Sequence, residues 1–279
     1  MKYLAATVQM TSTNDLVRNA ERALELVAEA ADRGATLIGL PENWLIFRES
    51  GDPRPAPVNV DSGPFAELRA LCKEKEVTLV AGTIPEAAPS GKLFNTCHVI
   101  GPDGGIVASY RKIHLFDVSI SGGEAHKESE HIMPGREAIV AKTDSGPVGL
   151  TICYDLRFPE LFRLLALRGA RVIFTPAAFT LHTGKDHWIA LLRARAIENL
   201  VYIVAPAQYG QNTKKRQTFG KSLIADPWGN VIATVPDREG IAIAEIDFEA
   251  QDAIRAQLPS LKHFQSWLFD EIKDNGSNK

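Results

Sequence analysis

Cys153 lies near the end of the apolar run V-G-L-T-I-C-Y-D (Val148 to Asp155), and the chain then turns at once into a helix-start pattern, R-F-P-E-L-F. A thiol placed there is lifted clear of a sheet and backed by helix-start amides, which favour a thiolate and can hold an oxyanion. Two further apolar runs also end in reactive groups. T-L-I-G-L-P-E-N reaches Glu42, and G-I-V-A-S-Y-R-K reaches Lys112. In sheets covered by helices, functional groups collect at the carboxyl ends of strands. A thiol, a carboxylate and an ammonium brought together in that way supply a nucleophile, a proton carrier and a fixed positive charge. Cys72, on the apolar side of a helix pattern, and Cys97, inside a strand pattern, read instead as small buried hydrophobes.

The elements that must position these groups follow from periodicity. Asn14 to Arg33 carries a helical stripe (Leu16, Ala20, Ala23, Leu24, Val27, Ala30, Ala31) stopped by Gly34. The strand ending at Glu42 follows, then a helix from Pro64 to Glu76 and a strand from Val77 to Gly82, and later a helix from Pro159 to Arg168 and a strand from Arg171 to Thr175. This alternation is the mark of a layered α/β fold. Two hairpins interrupt it, His98 to Tyr110 around P-D-G-G and Leu223 to Val235 around D-P-W-G-N. Their echo suggests two similar halves whose sheets face each other. A helix from Asp186 to Asn199 is apolar around most of its circumference and so must be covered on more than one face. Gly51 to Asp61, rich in proline, reads as a surface loop bordering a pocket, and Asp274 to Lys279 as a polar, disordered tail.

Composition narrows the function classes. The 279 residues are 45% hydrophobic, ample for one large core, and a net charge of -3 gives no electrostatic reason to expect nucleic acid or an anionic membrane as partner. No apolar run approaches a membrane span, and the N-terminal stretch, interrupted by Gln9, reads as a first strand rather than a signal peptide. Three cysteines at unrelated spacings form neither a disulfide framework nor a metal pattern, which points to a reducing cytoplasm.

L-P-E-N around Glu42, Y-R-K-I-H-L-F-D around Lys112 and T-I-C-Y-D-L-R-F-P-E around Cys153 resemble, in order, the three signatures of the nitrilase superfamily, the carbon-nitrogen hydrolases. The resemblance runs from Tyr3 to about Asp247. It implies an α-β-β-α sandwich, a single hydrolase domain over residues 1–273, and pairing of subunits across helices into a homodimer or larger assembly. The stretches A-F-T-L-H-T-G-K-D-H-W, L-R-A-R-A-I-E-N and D-P-W-G-N resemble the branch of omega-amidases and deaminated-glutathione amidases, and K-K-R-Q-T-F-G-K-S leans toward the latter.

An amide is a poor electrophile, so splitting it needs a strong nucleophile, a proton shuttle and positive charge at the carbonyl oxygen. Cys153 supplies the first. Glu42 can take the thiol proton and later protonate the amine, provided an apolar pocket raises its pKa towards working pH. Lys112, with an ordinary pKa of about 10, can hold the oxyanion together with the backbone N–H of Tyr154. The product is a thioester on Cys153 that water attacks, with no metal or organic cofactor required. Glu128, by residue type alone a surface residue, matches an additional glutamate of the family; the resemblance implies that it holds Lys112 and orients the substrate amine or water. Arg157, one turn past Cys153, either binds a substrate carboxylate or pairs with Glu160 on a helix surface. Phe179 and Thr183 match pocket-lining positions of the family, an apolar wall and a hydroxyl donor. Lys185 and the basic run Lys214 to Arg216, otherwise a solvated loop, are the next places for a carboxylate. A rival Cys-His scheme would use His114, which an extended segment would point away from Lys112's face. His187 is expected to anchor the start of its helix.

Together these features predict a cysteine amidase acting on a small carboxylated amide. Deaminated glutathione is the first substrate candidate and 2-oxoglutaramate the second, ahead of a nitrile or a non-catalytic binding role.

Overall fold

Alternation along Lys2–Met10 divides its side chains between two cores, with Ala5 on one face and Ala6, Val8 and Met10 on the other. The same division recurs at Leu37 against Ile38, and at Val80 against Leu79 and Ala81. A strand apolar on both faces must be covered on both. In the computed structural model, which describes residues 1–48, 54–119 and 125–267, that is what is found. The outer core is closed by helices α1 (Leu16–Asp32) and α2 (Gly63–Lys75), which pack through Leu26, Val27, Phe65 and Leu68. The inner core lies between this sheet and a second one.

Among the described residues, the first sheet has nine strands. Its central run places Ala207–Gln211, Lys2–Met10, Ala35–Gly39, Thr78–Val80 and Leu93–Ile100 side by side. Lys2–Met10 pairs in parallel with Ala35–Gly39 and also antiparallel with Gly240–Asp247. The second sheet has six strands, with Gly146–Leu150, Val172–Phe174 and Tyr202–Ala205 parallel at its centre. Helices α3 (Pro159–Leu167) and α4 (Leu181–Asn199) cover its outer face through Phe162, Leu165, Trp188 and Leu192. The architecture is the expected α-β-β-α sandwich, and α5 (Phe248–Gln257) follows the last strand. The two echoing hairpins fall one in each sheet, as Leu93–Ile100 with Ile106–Arg111 and as Leu223–Ala225 with Val231–Thr234.

The sheets approach closely beside the site. A Cβ added at Gly39 would sit 2.6 Å from Cε1 of Phe174 in the facing sheet, so glycine sets the spacing there. Gly184 plays the corresponding part at the start of α4, where a Cβ would meet Cβ of Phe219 at 2.3 Å. That contact explains a difference from expectation: α4 starts at Leu181, capped by Thr180, rather than at Asp186. A glycine inside the first turns disguises the helix in sequence, but here it admits the Gln217–Phe219 strand. His187 therefore lies inside α4 and does not anchor its start. No helix among the described residues is long and apolar enough to cross a membrane. The tail from Asp274 and the first part of the proline-rich loop lie outside the described residues, while Pro55 of that loop borders the cavity described next.

Candidate active site

Glu42, Lys112 and Cys153 each stand just beyond the carboxyl end of a strand, after Ala35–Gly39, Ile106–Arg111 and Gly146–Leu150. Because these strands belong to facing sheets, their ends converge, and all three residues line one cavity of about 370 Å³. That volume suits a small organic ligand. Glu42 and Lys112 are almost fully buried, and Cys153 is 8% exposed.

The Lys112 ammonium is held by two carboxylates. Its Nζ donates to Glu42 Oε1 at 2.9 Å and to Glu128 Oε2 at 2.9 Å. Glu128 is fixed in turn by the Phe116 amide, which donates to its Oε2 at 2.7 Å. Glu128 is thus in direct contact with Lys112. It enters from the 3-10 turn Glu128–Glu130 that follows the short hairpin strand Ala125–Lys127. Nζ also donates to Glu128 Oε1, at 3.2 Å, so all three of its hydrogen bonds go to the two carboxylates and the one to Oε1 is the longest.

Two partners that periodicity could not reveal complete the cluster. Asn95 Nδ2 donates to Glu42 Oε1 at 2.9 Å and to Glu128 Oε1 at 3.2 Å, tying the two carboxylates together from inside Leu93–Ile100. The backbone amide of Ala178 donates to Glu42 Oε2 at 2.9 Å. A buried asparagine in an otherwise apolar strand, as in L-F-N-T-C-H-V-I, was the available signal for the first. No side chain signals the second.

These contacts reverse one expectation. Burial tends to raise the Glu42 pKa, but Lys112, through charge and hydrogen bond, outweighs it, helped by a hydrogen bond from Cys153 and the charge of Arg216. The carboxyl is thus held below its ordinary 4.5. Cys153 moves the other way, because burial pushes the thiol up and the Glu42 charge adds to that, more than Lys112 offsets. Helix-start amides do not override this. The cysteine begins a 3-10 turn, Cys153–Arg157, in a left-handed conformation (φ 46°), and its own N–H is spent on Pro176 O at 2.9 Å. Lys112 stays protonated: burial opposes its charge, but Glu128, Glu42 and Cys153 raise its pKa well above the ordinary value. The resting site therefore holds carboxylate, ammonium and neutral thiol.

A pH profile tests this protonation state. The Glu42 pKa is depressed, so its ionised form persists from below pH 4.5 upward and is lost only as pH falls through the lowered value. The Cys153 pKa is raised, so no thiolate gain occurs at the ordinary thiol value of about 8.5. We expect kcat/KM to stay level through the neutral and mildly alkaline range. A rise of about tenfold per pH unit up to about pH 8.5 would mean that a free thiolate is the reactive resting form.

Asp155, fully buried, braces the turn from behind. Oδ2 accepts from the Ile152 amide at 2.8 Å and from Tyr110 Oη at 2.7 Å; Oδ1 accepts from the His114 amide at 3.0 Å and lies 2.7 Å from His114 Nδ1. It thus locks the cysteine turn to the segment carrying Lys112. Asp155→Ala would leave these buried donors unmatched at about 1–3 kcal/mol each. A urea melt should show a loss of several kcal/mol, and an unchanged midpoint would refute the bracing role.

The same contacts bear on the rival scheme. His114 sits in a bend rather than an extended strand, stacks on Phe158 at 3.6 Å, lies with Nδ1 2.7 Å from Asp155 Oδ1, and is not among the residues that line the cavity. Phe179 and Thr183 line the cavity, as do Lys215 and Arg216 from the run read as a solvated loop. The Thr183 hydroxyl lies 3.0 Å from that of Thr180. Arg157 is not among the lining residues. It ends the 3-10 turn, lies over Phe179 at 5.3 Å and contacts His187 Nδ1 at 3.4 Å, and it forms no ion pair with Glu160. Lys185 is on the exposed side of α4. Cys72 and Cys97 are buried, with thiol pKa values raised by burial.

A buried carboxylate, ammonium and thiol at the ends of facing sheets is the arrangement expected of the superfamily that the motifs resemble. The sequence matches the carbon-nitrogen hydrolase family over residues 4–256. The chain belongs to that family. The carbon-nitrogen hydrolase is 44% identical over 265 residues to the deaminated glutathione amidase of Synechocystis sp. (strain PCC 6803 / GT-S), covering 94% of this chain and 97% of the relative. It is 37% identical over 270 residues to the omega-amidase NIT2 of Mus musculus, covering 96% of each. The crystal structure of Saccharomyces cerevisiae Nit3, of the nitrilase superfamily, superposes with a TM-score of 0.81 at 31% identity, over 92% of this chain and 94% of that one. The protein is accordingly an amidase, a hydrolase of carbon-nitrogen bonds other than peptide bonds.

Proposed function

We propose that this amidase hydrolyses deaminated glutathione to 2-oxoglutarate and cysteinylglycine through a thioester on Cys153. The observation that carries this reading is the make-up of the cavity. Beyond Lys112, which pairs with Glu42 and Glu128, it is lined among the described residues by four cations, Arg48, Lys127, Lys215 and Arg216, against one further carboxylate, Glu130. Deaminated glutathione carries two carboxylates, one on the acyl part and one on the leaving group, whereas 2-oxoglutaramate carries one and releases ammonia. Several cations around a cavity of this size suit the larger dianion, and the 44% identical relative is named for that activity. The omega-amidase reading remains the second candidate, because both substrates share the 2-oxoglutaryl group and a 37% identical relative bears that name.

In the proposed mechanism, Cys153 Sγ attacks the amide carbon as its proton passes to Glu42. The oxyanion is held by the Lys112 ammonium, which exchanges its longer contact with Glu128 Oε1 for it, and by the Tyr154 N–H. Glu42 then protonates the departing amine, the thioester forms, and water attacks it with Glu42 again as base while Glu128 and Asn95 keep Lys112 and Glu42 in register. Phe179 and Thr183 contribute an apolar wall and a hydroxyl to the acyl pocket, and Arg157 acts from behind that wall.

Ile189 and Ile197 on α4, with Leu164 and Leu167 on α3, are large apolar side chains left exposed in one chain. This supports a homodimer across these helices. Three buried, unpaired cysteines fit the cytoplasm. The experiment is turnover of deaminated glutathione and 2-oxoglutaramate side by side. The reading expects a higher kcat/KM for the first, and a preference for 2-oxoglutaramate would install the omega-amidase alternative.

A further inference from the structure

Arg216 stands on one side of the cavity, and the arrangement around it is built. The segment Asn212–Arg216 is pinned at both ends: Asn212 Nδ2 donates to Ser12 O at 3.0 Å, Asn212 Oδ1 accepts from Thr218 Oγ1 at 2.6 Å, and the Arg216 amide donates to Thr213 Oγ1 at 3.0 Å. Asn212 also reaches Gln208, whose Nε2 donates to the backbone oxygen of Glu42 at 3.0 Å. The guanidinium lies over the Phe47 ring, 4.8 Å from its centroid. Phe47 follows Glu42 closely in sequence and also lines the cavity.

Unlike most partly buried arginines, Arg216 has no carboxylate within ion-pairing distance among the described residues, and its buried Nε has no hydrogen-bond partner. A desolvated donor on a charged fork costs free energy unless an anion completes it. The fork therefore has an unmet requirement for a planar anion inside the cavity. Its position says which anion. Glu42 is the group that hands a proton to the departing amine, so the leaving group must pass on the Glu42 side of the thiol. Arg216 belongs to that side: its ring partner Phe47 follows Glu42 in the chain, and its segment is tied to the Glu42 backbone through Asn212 and Gln208.

We propose that Arg216 binds the carboxylate of the leaving group and thereby selects amides whose amine part is a dipeptide with a free C-terminal carboxylate over primary amides. This rests on the thioester reading given above and deepens it, because it assigns the discrimination between the two candidate substrates to one side chain. Lys215, also on the cavity wall, adds charge but no fork.

Three substrates sharing the 2-oxoglutaryl group test it: deaminated glutathione, its C-terminal amide, and 2-oxoglutaramate. The ratios of kcat/KM among them are the readout, since any effect of Arg216 on Glu42 is common to all three and cancels. In the wild type, capping the carboxylate as an amide should lower kcat/KM by about 10- to 100-fold, the value of a charge-assisted pair. In Arg216→Gln the free acid should fall to the level of the capped substrate, so that capping no longer matters, and Arg216→Lys should recover only part. If Arg216→Gln lowers all three substrates by the same factor, the residue does not read the leaving group and the proposal is overturned. A separate measurement keeps it distinct from the substrate reading. N-acetyl-cysteinylglycine should raise the Tm of the wild type more than its C-terminal amide does, and this difference should vanish in Arg216→Gln. If the wild type hydrolyses none of the three yet shows that difference, the substrate reading fails and the carboxylate site stands. Equal shifts from acid and amide overturn the site even if deaminated glutathione is hydrolysed.

Discussion

Cys153→Ala is expected to abolish amide turnover to the level of the uncatalysed reaction while leaving the fold intact, and Cys153→Ser is expected to come close to it. The reason is the neutral resting thiol. Burial and the Glu42 charge hold the Cys153 pKa up, so in the proposed mechanism attack depends on handing the proton to the Glu42 carboxylate in the same cavity. A serine hydroxyl at the same place is far harder to deprotonate and less nucleophilic, and the cavity is spaced for sulfur. Substitution at the thiol removes little buried volume, so any change in Tm should be small beside the loss of rate. Cys72→Ser and Cys97→Ser should remain active, because both thiols are packed in cores away from the cavity. Residual turnover in Cys153→Ala comparable with the wild type would remove the nucleophile from this account.

The second large effect separates proton transfer from charge. Glu42→Gln keeps one carbonyl oxygen, which can accept from Lys112 and Asn95 or from the Ala178 amide but not from both sides, and it cannot take a proton from the thiol. It should lower kcat by about 10²- to 10⁴-fold. Lys112→Ala removes an oxyanion donor, and a loss of at least about 10²- to 10³-fold is expected. It also leaves Glu42 and Glu128 joined through Asn95 without their shared cation. Breaking a buried ion pair in that way costs about 3–5 kcal/mol of stability, so its kinetics must be read on protein shown to be folded. Lys112→Arg should not rescue activity, since a planar fork cannot replace a compact ammonium between two carboxylates. His114→Ala should cost much less than Glu42→Gln. An equal loss in kcat would restore the Cys-His scheme.

The parts of this site that the sequence made legible are the ones tied to local pattern. Glu42, Lys112 and Cys153 each follow an apolar run, and strand ends in a layered α/β fold are where such groups converge. The helix stripes and the two hairpins were legible for the same reason. What escaped depends on contacts between distant segments. Asn95 sits within an all-buried strand and Asp155 behind the turn, so neither belongs to a reactive pattern, and the Ala178 amide has no side-chain signature at all. Glu128 enters from a 3-10 turn after a short hairpin strand, and only the family resemblance singled it out. The direction of the Glu42 shift was misjudged because an apolar pocket is only half its environment; Lys112 and Cys153 decide the balance. Arg157 and Arg216 exchanged expectations. The arginine one turn past the cysteine is turned toward His187 and Phe179, while the one in a basic loop lines the cavity. Charge clusters read as solvated faces until the strand that carries them is placed, and the Ala207–Gln211 strand lies parallel beside Lys2–Met10, next to the site.

The central claim is the covalent intermediate, and trapping it is the most direct measurement. Wild-type enzyme turning over deaminated glutathione should be acid-quenched in the first turnovers and the protein digested for mass spectrometry, with a parallel reaction run in hydroxylamine. The account predicts a 2-oxoglutaryl adduct on the peptide containing Cys153, diversion of product to the hydroxamate in the parallel reaction, and neither in Cys153→Ala. Continued hydrolysis with no adduct on Cys153 and no hydroxamate would contradict it.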